Sequence, residues 1–413
     1  MINLLCSLIS SERDPQDLNN QLRQFSPEEW ELLIDLANKN GLTAILYKFF
    51  VQQDLTRYIS KKQFEVLQEK TRITAVNNLI LIHEAKQVLE VLHQSNIDVI
   101  GLKGLYLLDN IYDDISLRPM ADLDLLLKKE DISKALSILT AIDYHPSTYF
   151  NLNTENIDIK HVPPLIKNQK LYLELHWSIA EGDWPFNVDV GGLWQRAVPA
   201  TIAGVSALAL STEDLLLHLC IHFTYQHQLK GNLRGLYDFL KVFETHQWEI
   251  DWETLFKTAK EWRVERIVAL TFELLVDLFG GKFPQDVLVH FKSELISPDL
   301  LTAAKDQIFP AHDTQAAITP DLARLSSMPG LINKFRLILT RVFLPKATMA
   351  RLYNTPPTSI KIYFFYPVRL LQLFKAYGIT TWEIITKPKA VKVDIVHEGA
   401  KQELIEWMEA NGS

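Results

Sequence analysis

The hydrophobic pattern divides this chain into helical stretches on either side of a short region with a different period. Ser26-Pro-Glu-Glu29 has the form of a capping box with proline at the first helical position. It predicts a helix through Trp30, Leu33, Ile34 and Leu36 that stops at Asn40-Gly41. A second helix is expected over Ala44 to Phe50, and a long one from about Lys61 to His93. The texture changes at Ser95. Ile97-Asp-Val-Ile-Gly101 predicts a short strand, and Leu105 to Tyr112 a helix. Met120-Ala-Asp-Leu-Asp-Leu-Leu-Leu127 predicts a buried strand, followed by a helix from Glu130-Asp131 to near Ala141. His161 to Ile166 and Lys170 to Trp177 read as two strands joined as a hairpin at Asn168-Gln169. From Ser211 helices return, over Ser211–Gln226, Arg234–Phe243, Asp251–Trp262 and Glu265–Phe279. The stretch from Pro298 to Pro320 is looser. The final third is expected to be helical, with Pro345, Pro356-Pro357 and Pro367 as breaks and Lys392-Val-Asp-Ile-Val396 as a late strand.

Within the strand region, Asp122 and Asp124 are two residues apart, so both carboxylates project from one face while Leu123, Leu125 and Leu127 point the other way. Two neighbouring anions in a partly buried place call for a counter-charge, and a divalent cation supplies it. In Leu171-Tyr-Leu-Glu-Leu-His176, Tyr172, Glu174 and His176 share a face opposite the leucines. If the two strands are neighbours, Glu174 joins the aspartates, and three such acids suit a pair of Mg2+ ions (or Mn2+) beside a nucleotide's phosphates.

Composition narrows the partners. The chain has 413 residues, 47% apolar and 22% charged, with a formal net charge of -8. That is enough for two or three domains, and it provides no global positive field to recruit nucleic acid. The two cysteines, Cys6 and Cys220, lie in no metal-type spacing and suit a reducing cytoplasm. The apolar N-terminus lacks the basic start and cleavage site of a signal peptide. No uncharged apolar stretch is long enough to span a bilayer. Gly330 to Lys346 has the pattern of a basic amphipathic helix, whose basic face is solvated or, as the lesser reading, meets a membrane surface.

Other candidates carry two readings each. Arg118 either clamps a phosphate or neutralises nearby acids, among them Asp113 and Asp114. His161 is a loop or core histidine or a substrate contact, and His176, sharing the face of Glu174, is an orienter or substrate contact. Asp214, His218 and His222 fall on one helical face, as a zinc-like row or a core stripe. Lys230, Arg234 and Asp238 form another row, as a solvated ion pair or a wall of the cleft.

In sequence order, Leu102-Lys-Gly-Leu105, Leu117-Arg-Pro-Met-Ala-Asp-Leu-Asp-Leu-Leu126 and Leu173-Glu-Leu-His-Trp177 resemble the bacterial nucleotidyltransferases of the polymerase-β superfamily. The resemblance is clearest from Val99 to Trp177. Weaker echoes lie in Asn40-Gly-Leu-Thr-Ala-Ile-Leu-Tyr47 and Leu233-Arg-Gly-Leu-Tyr-Asp-Phe239. It implies that Asp122 and Asp124 are the metal-binding pair and that Glu174 is the third acid, as metal ligand or general base. It places Lys103-Gly104 at the phosphate-binding turn where better-studied members carry Gly-Ser, so a lysine charge replaces a serine hydroxyl.

The expected fold is α+β, with a small mixed-sheet nucleotidyltransferase core at 95–205. Helical regions at 1–94 and 206–297 flank it, the latter closing the cleft, and a mostly helical region follows at 298–413. The expected activity is Mg2+-dependent transfer of a nucleoside monophosphate from an NTP donor to a small-molecule or peptide acceptor. Kinase-like transfer by the same site and a degenerate nucleotide-binding scaffold are the alternatives.

Overall fold

Seven short strands form one mixed sheet in the order β3-β4-β5-β2-β1-β7-β6. They are β1 (Ile100–Gly101), β2 (Asp122–Leu126), β3 (His145–Pro146), β4 (Leu165–Lys167), β5 (Leu171–His176), β6 (Val198–Ile202) and β7 (Val205–Ala209). The computed structural model describes residues 1–10, 22–147, 160–168, 171–230, 233–291, 296–309, 343–353, 355–356, 358–386 and 388–410. The chain divides into two compact units. One comprises Met1–His145 and Asp158–Ser297, the other Pro146–Ile157 and Pro298–Ser413.

In the first unit, β2 pairs in parallel with β5 and antiparallel with β1. β4 and β5 run antiparallel, as do β6 and β7, whereas β1 and β7 are parallel. The sheet is therefore mixed, as the α+β reading expects. The β6–β7 hairpin lacks the Asn-Gly signal that makes such turns visible in a sequence. Ala203 and Gly204 both adopt positive φ, 51° and 75°, and the Asp109 carboxylate accepts a hydrogen bond from the Ala203 amide at 2.7 Å. Glycine suits that conformation freely; alanine is held there with help from Asp109.

The helices largely follow the expected pattern. Pro27–Lys39 starts in a complete capping box between Ser26 and Glu29, and Thr43–Gln52 follows it. Lys61–Gln94 runs for 34 residues and buries the stripe Asn78, Leu81, Ala85, Val88 and Leu92. Lys103–Asn110 and Ile132–Thr140 are the helices of the sheet region. Beyond it, Thr212–Cys220 widens into a π turn over Ile221–Gln226 instead of continuing as one α-helix. Leu233–His246, Trp252–Trp262 and Glu265–Phe279 complete the unit's main helices.

In the second unit, Met349, Ala350 and Ile362 form a small buried cluster. Pro298–Ile308, expected to be loose, is helical. Lys392 to Val396, expected as a strand, lies inside the helix Pro388–Glu409, whose proline occupies the first helical position. β-branched content alone is a weak guide there. Pro367 falls within the helix Ile362–Thr386 and does not break it. At the sixth helical position it removes the hydrogen bond that a residue there would donate to the Tyr363 carbonyl, and the helix continues past that gap. Most of the basic stretch 330–346 lies outside the described residues, as does Gln169 of the expected hairpin turn. No helix among the described residues is long and apolar enough to cross a membrane.

Candidate active site

The parallel register of β2 and β5 decides which acids meet. Asp124 stands opposite Glu174, and Asp122 opposite Tyr172. Since partners in register share a face, Asp124, Glu174 and His176 converge. Ligand atoms of these three lie within 4.8 Å of one another. His176 Nε2 is 2.9 Å from Asp124 Oδ1 and 3.3 Å from Glu174 Oε2. Both neighbours are carboxylate oxygens, so Nε2 carries the proton and donates, and the buried Nδ1 has no partner among the described residues. Asp122, half-buried at the start of β2, lies outside this group.

The two aspartates differ electrostatically. Burial, and then the Asp124 charge, push the Asp122 carboxyl up. Burial also opposes ionisation of Asp124, but the Lys103 ammonium and the hydrogen bond from His176 outweigh it and hold that carboxyl well below the usual range. Lys103 Nζ is 3.2 Å from Asp124 Oδ2, with both side chains buried. For Glu174, the His176 hydrogen bond outweighs burial and lowers the carboxyl.

Lys103 opens the helix Lys103–Asn110 with φ of 40°, a left-handed value that disfavours any side chain. The preceding Leu102 amide donates to the Asp124 carbonyl at 3.0 Å, fixing this turn beside β2. Gly104 is required by crowding: a Cβ there would lie 2.7 Å from Arg118 Nη1 and 3.3 Å from Met120 Sδ.

Arg118 takes Asp238 as its ion-pair partner, not Asp113 or Asp114. Its Nε donates to Asp238 Oδ1 at 2.9 Å and its Nη2 to Oδ2 at 2.9 Å, in a buried pair that the Tyr112 hydroxyl joins at 2.7 Å. The loop bearing Arg118 is fixed from behind by Asn78. Its Nδ2 donates to the Arg118 carbonyl at 2.8 Å, and its Oδ1 accepts from the Met120 amide at 3.2 Å. Asn78 escaped the sequence reading, although a fully buried asparagine in line with Leu81, Ala85 and Val88 was a visible signal.

A cavity of about 230 Å³ adjoins the acids through Lys103. Arg118, His222, His227, Lys230, Arg234 and Asp238 line it as well. The Arg234 Nη1 donates to the Pro119 carbonyl at 3.2 Å, while its buried Nε has no partner among the described residues. Burial and the nearby Arg118 charge lower the Arg234 pKa. The row Lys230, Arg234 and Asp238 thus faces this cavity, with Asp238 committed to Arg118. The other row separates. Asp214 is fully buried and bonded by Arg196 at 2.8 Å, and His218 is buried in the core.

His161 packs its ring 4.9 Å from that of His176, and its Nδ1 donates to the Val162 carbonyl at 2.6 Å. It supports His176 from the side away from the acids' register. Lys160 was not singled out by its sequence. It is buried, donates from Nζ to Gln226 Oε1 at 2.7 Å, and stands at a pKa of about 8, lowered by burial and then by Lys103.

The donor set fits a divalent cation: two carboxylates and an imidazole converge, with the Lys103 ammonium on the other oxygen of Asp124. Ligation by His176 through Nε2 requires the proton there to leave, so cation and proton compete for that atom.

No curated protein and no solved structure matches the chain. A family model described as an uncharacterised nucleotidyltransferase matches residues 26–280, well over half of the chain and all the elements that build this site, and the chain therefore belongs to that nucleotidyltransferase family.

Proposed function

We propose that the protein transfers a nucleoside monophosphate from an NTP to a small-molecule or peptide acceptor, in a Mg2+- or Mn2+-dependent reaction that releases pyrophosphate. The observation that carries this reading is the position of Lys103, which is paired with Asp124 of the acid group and lines the cationic cavity. Acids and phosphate-binding charge are thereby joined in one cleft. A divalent cation bound by Asp124, Glu174 and His176 supplies charge stabilisation at the reacting phosphate.

The chain's own residues divide the remaining work. Lys103, Lys230 and Arg234 face the triphosphate, and Gly104 leaves the room that the Arg118 guanidinium and Met120 fill beside them. Glu174, partly open to solvent, takes the acceptor's proton as the acceptor oxygen or nitrogen bonds to the α-phosphorus. The bond from that phosphorus to the bridging oxygen breaks, and pyrophosphate leaves with the electron pair. Asp122 adds negative charge at the mouth of the acid group and is a second candidate for the metal. A net charge of -8 and a cavity of about 230 Å³ favour a small acceptor over a nucleic acid. Both cysteines are buried, which suits a reducing cytoplasm.

The test is turnover of each of the four NTPs with Mg2+, with the phosphorus product identified. Pyrophosphate release abolished in both Asp122→Asn and Asp124→Asn, with folding intact, supports the proposal. ADP as product indicates γ-phosphate transfer instead, and unchanged activity in both variants rules out the acid group as the reacting centre.

A further inference from the structure

Asp124 turns its two carboxylate oxygens toward two different partners. Oδ1 accepts from His176 at 2.9 Å, on the side where Glu174 also converges. Oδ2 lies 3.2 Å from the Lys103 ammonium. In a two-metal centre the two ions lie only a few ångströms apart and clamp the attacking and leaving oxygens from either side. A carboxylate shared between them gives one oxygen to each. Here the second oxygen already has a buried, covalently tethered positive charge.

We propose that this site operates with one divalent cation, held by Asp124, Glu174 and His176, and that the Lys103 ammonium occupies the place of the second. The inference rests on the nucleotidyltransferase function proposed above and concerns how that site is charged.

Three observations support it. Asp122, the acid that a second ion would need, lies outside the convergent group, opposite Tyr172 in the register. Charge balance agrees: Asp124 and Glu174 bring two negative charges to the group, which a single divalent cation matches. Lys103 also keeps a φ of 40°, a conformation that glycine adopts without penalty and lysine does not. A side chain retained against that penalty, aimed at Asp124 and lining the phosphate cavity, is a charge the site uses.

The test counts metal ions. Mn2+ is titrated into the full chain in the presence of inorganic tripolyphosphate, which avoids any dependence on the preferred base. Free Mn2+ is followed by electron paramagnetic resonance. Lys103→Gly is measured alongside, because glycine relieves the backbone conformation while removing the charge, and its fold is checked by circular dichroism. The expected result is one tightly bound Mn2+ per wild-type chain and two per Lys103→Gly chain, the pair giving a spin-coupled signal. Two ions in the wild type overturn the inference and leave the proposed function standing. One ion in both proteins also overturns it, since Lys103 then replaces nothing. No bound Mn2+ in either removes the metal site itself, and the proposed function with it.

Discussion

Arg118 and Asp238 lie 120 residues apart in sequence and form a buried two-pronged ion pair, with Nε and Nη2 each 2.9 Å from a different carboxylate oxygen. The pair ties the loop before β2 to the helix Leu233–His246, and so ties the acid-bearing strand to the wall of the cationic cavity. Removing one partner leaves an uncompensated buried charge, which costs more than the pair itself contributes. Asp238→Ala is expected to lower stability by about 3–5 kcal/mol, and Tyr112→Phe, which removes one hydrogen bond to the same carboxylate, by about 1.5–3 kcal/mol. Urea denaturation of the two variants checks both the size and the order.

The Arg118 guanidinium also fixes the tolerance at Gly104. Because its Nε and Nη2 are committed to Asp238, Nη1 cannot swing away from a new Cβ that would approach to 2.7 Å. Gly104→Ala is expected to cost about 1–3 kcal/mol through this overpacking. A melting temperature equal to that of the wild type would show that the guanidinium is free to move.

Asn78 satisfies two carbonyls, of Ile115 and Arg118, and the Met120 amide of the 115–120 loop at the same time. Asn78→Ala takes the side-chain partner from all three backbone groups, an expected loss of about 2–4 kcal/mol. Asn78→Asp restores only an acceptor, so the carbonyls stay unsatisfied and the rescue is incomplete. Denaturation midpoints of the two variants separate a hydrogen-bonding role from simple packing, for which the near-isosteric aspartate would restore stability.

Arg234 has a buried Nε without a partner among the described residues and faces the cavity. A charge-assisted contact to a phosphate is worth about 1.5–3 kcal/mol, so Arg234→Ala is expected to weaken inorganic tripolyphosphate binding roughly ten- to hundredfold. Calorimetry reads the change. Unaltered affinity would place the phosphates elsewhere.

Lys160 gives a pH signature. Its folded pKa of about 8 lies below the unfolded value of about 10.4, so the folded state binds its proton less tightly. Below pH 8 the lysine is charged in both states and the full cost of burying that charge is present. Between about pH 8 and 10.4 the unfolded chain binds more protons, and stability due to this group rises with pH. Lys160→Met is therefore expected to be more stable than the wild type near pH 7, with the gap closing across that window. A gap that widens with pH would contradict the direction of the shift.

The sequence and the structure part company where long-range pairing decides the outcome. Period-two alternation was enough to place Glu174 with His176 on one face of their strand and Asp122 with Asp124 on one face of theirs. Which of them meet depends on register between strands nearly fifty residues apart, and the register leaves Asp122 opposite Tyr172 and outside the cation group. The partner of Arg118 was equally hidden, since no local pattern links it to Asp238. The β6–β7 hairpin escaped because Ala203 holds a left-handed turn position through a contact with Asp109, which lies on a different element. The strand expected at Lys392–Val396 failed for the opposite reason: a local β-branched preference yields to the helix that Pro388 begins.

The parallel pairing of β2 with β5 also bears on synthesis. Parallel strands cannot be closed by a tight hairpin, so Asp124 must wait for a long stretch of polypeptide before Glu174 and His176 arrive. Asp238 emerges later still. A ribosome-bound nascent chain therefore passes through a stage in which the acid group can assemble while the Arg118 guanidinium still lacks its carboxylate, and that cation is solvated or shielded by whatever anion is at hand until the helix Leu233–His246 docks. In order of synthesis, the carboxylate that neutralises this arginine is the last of these groups to appear.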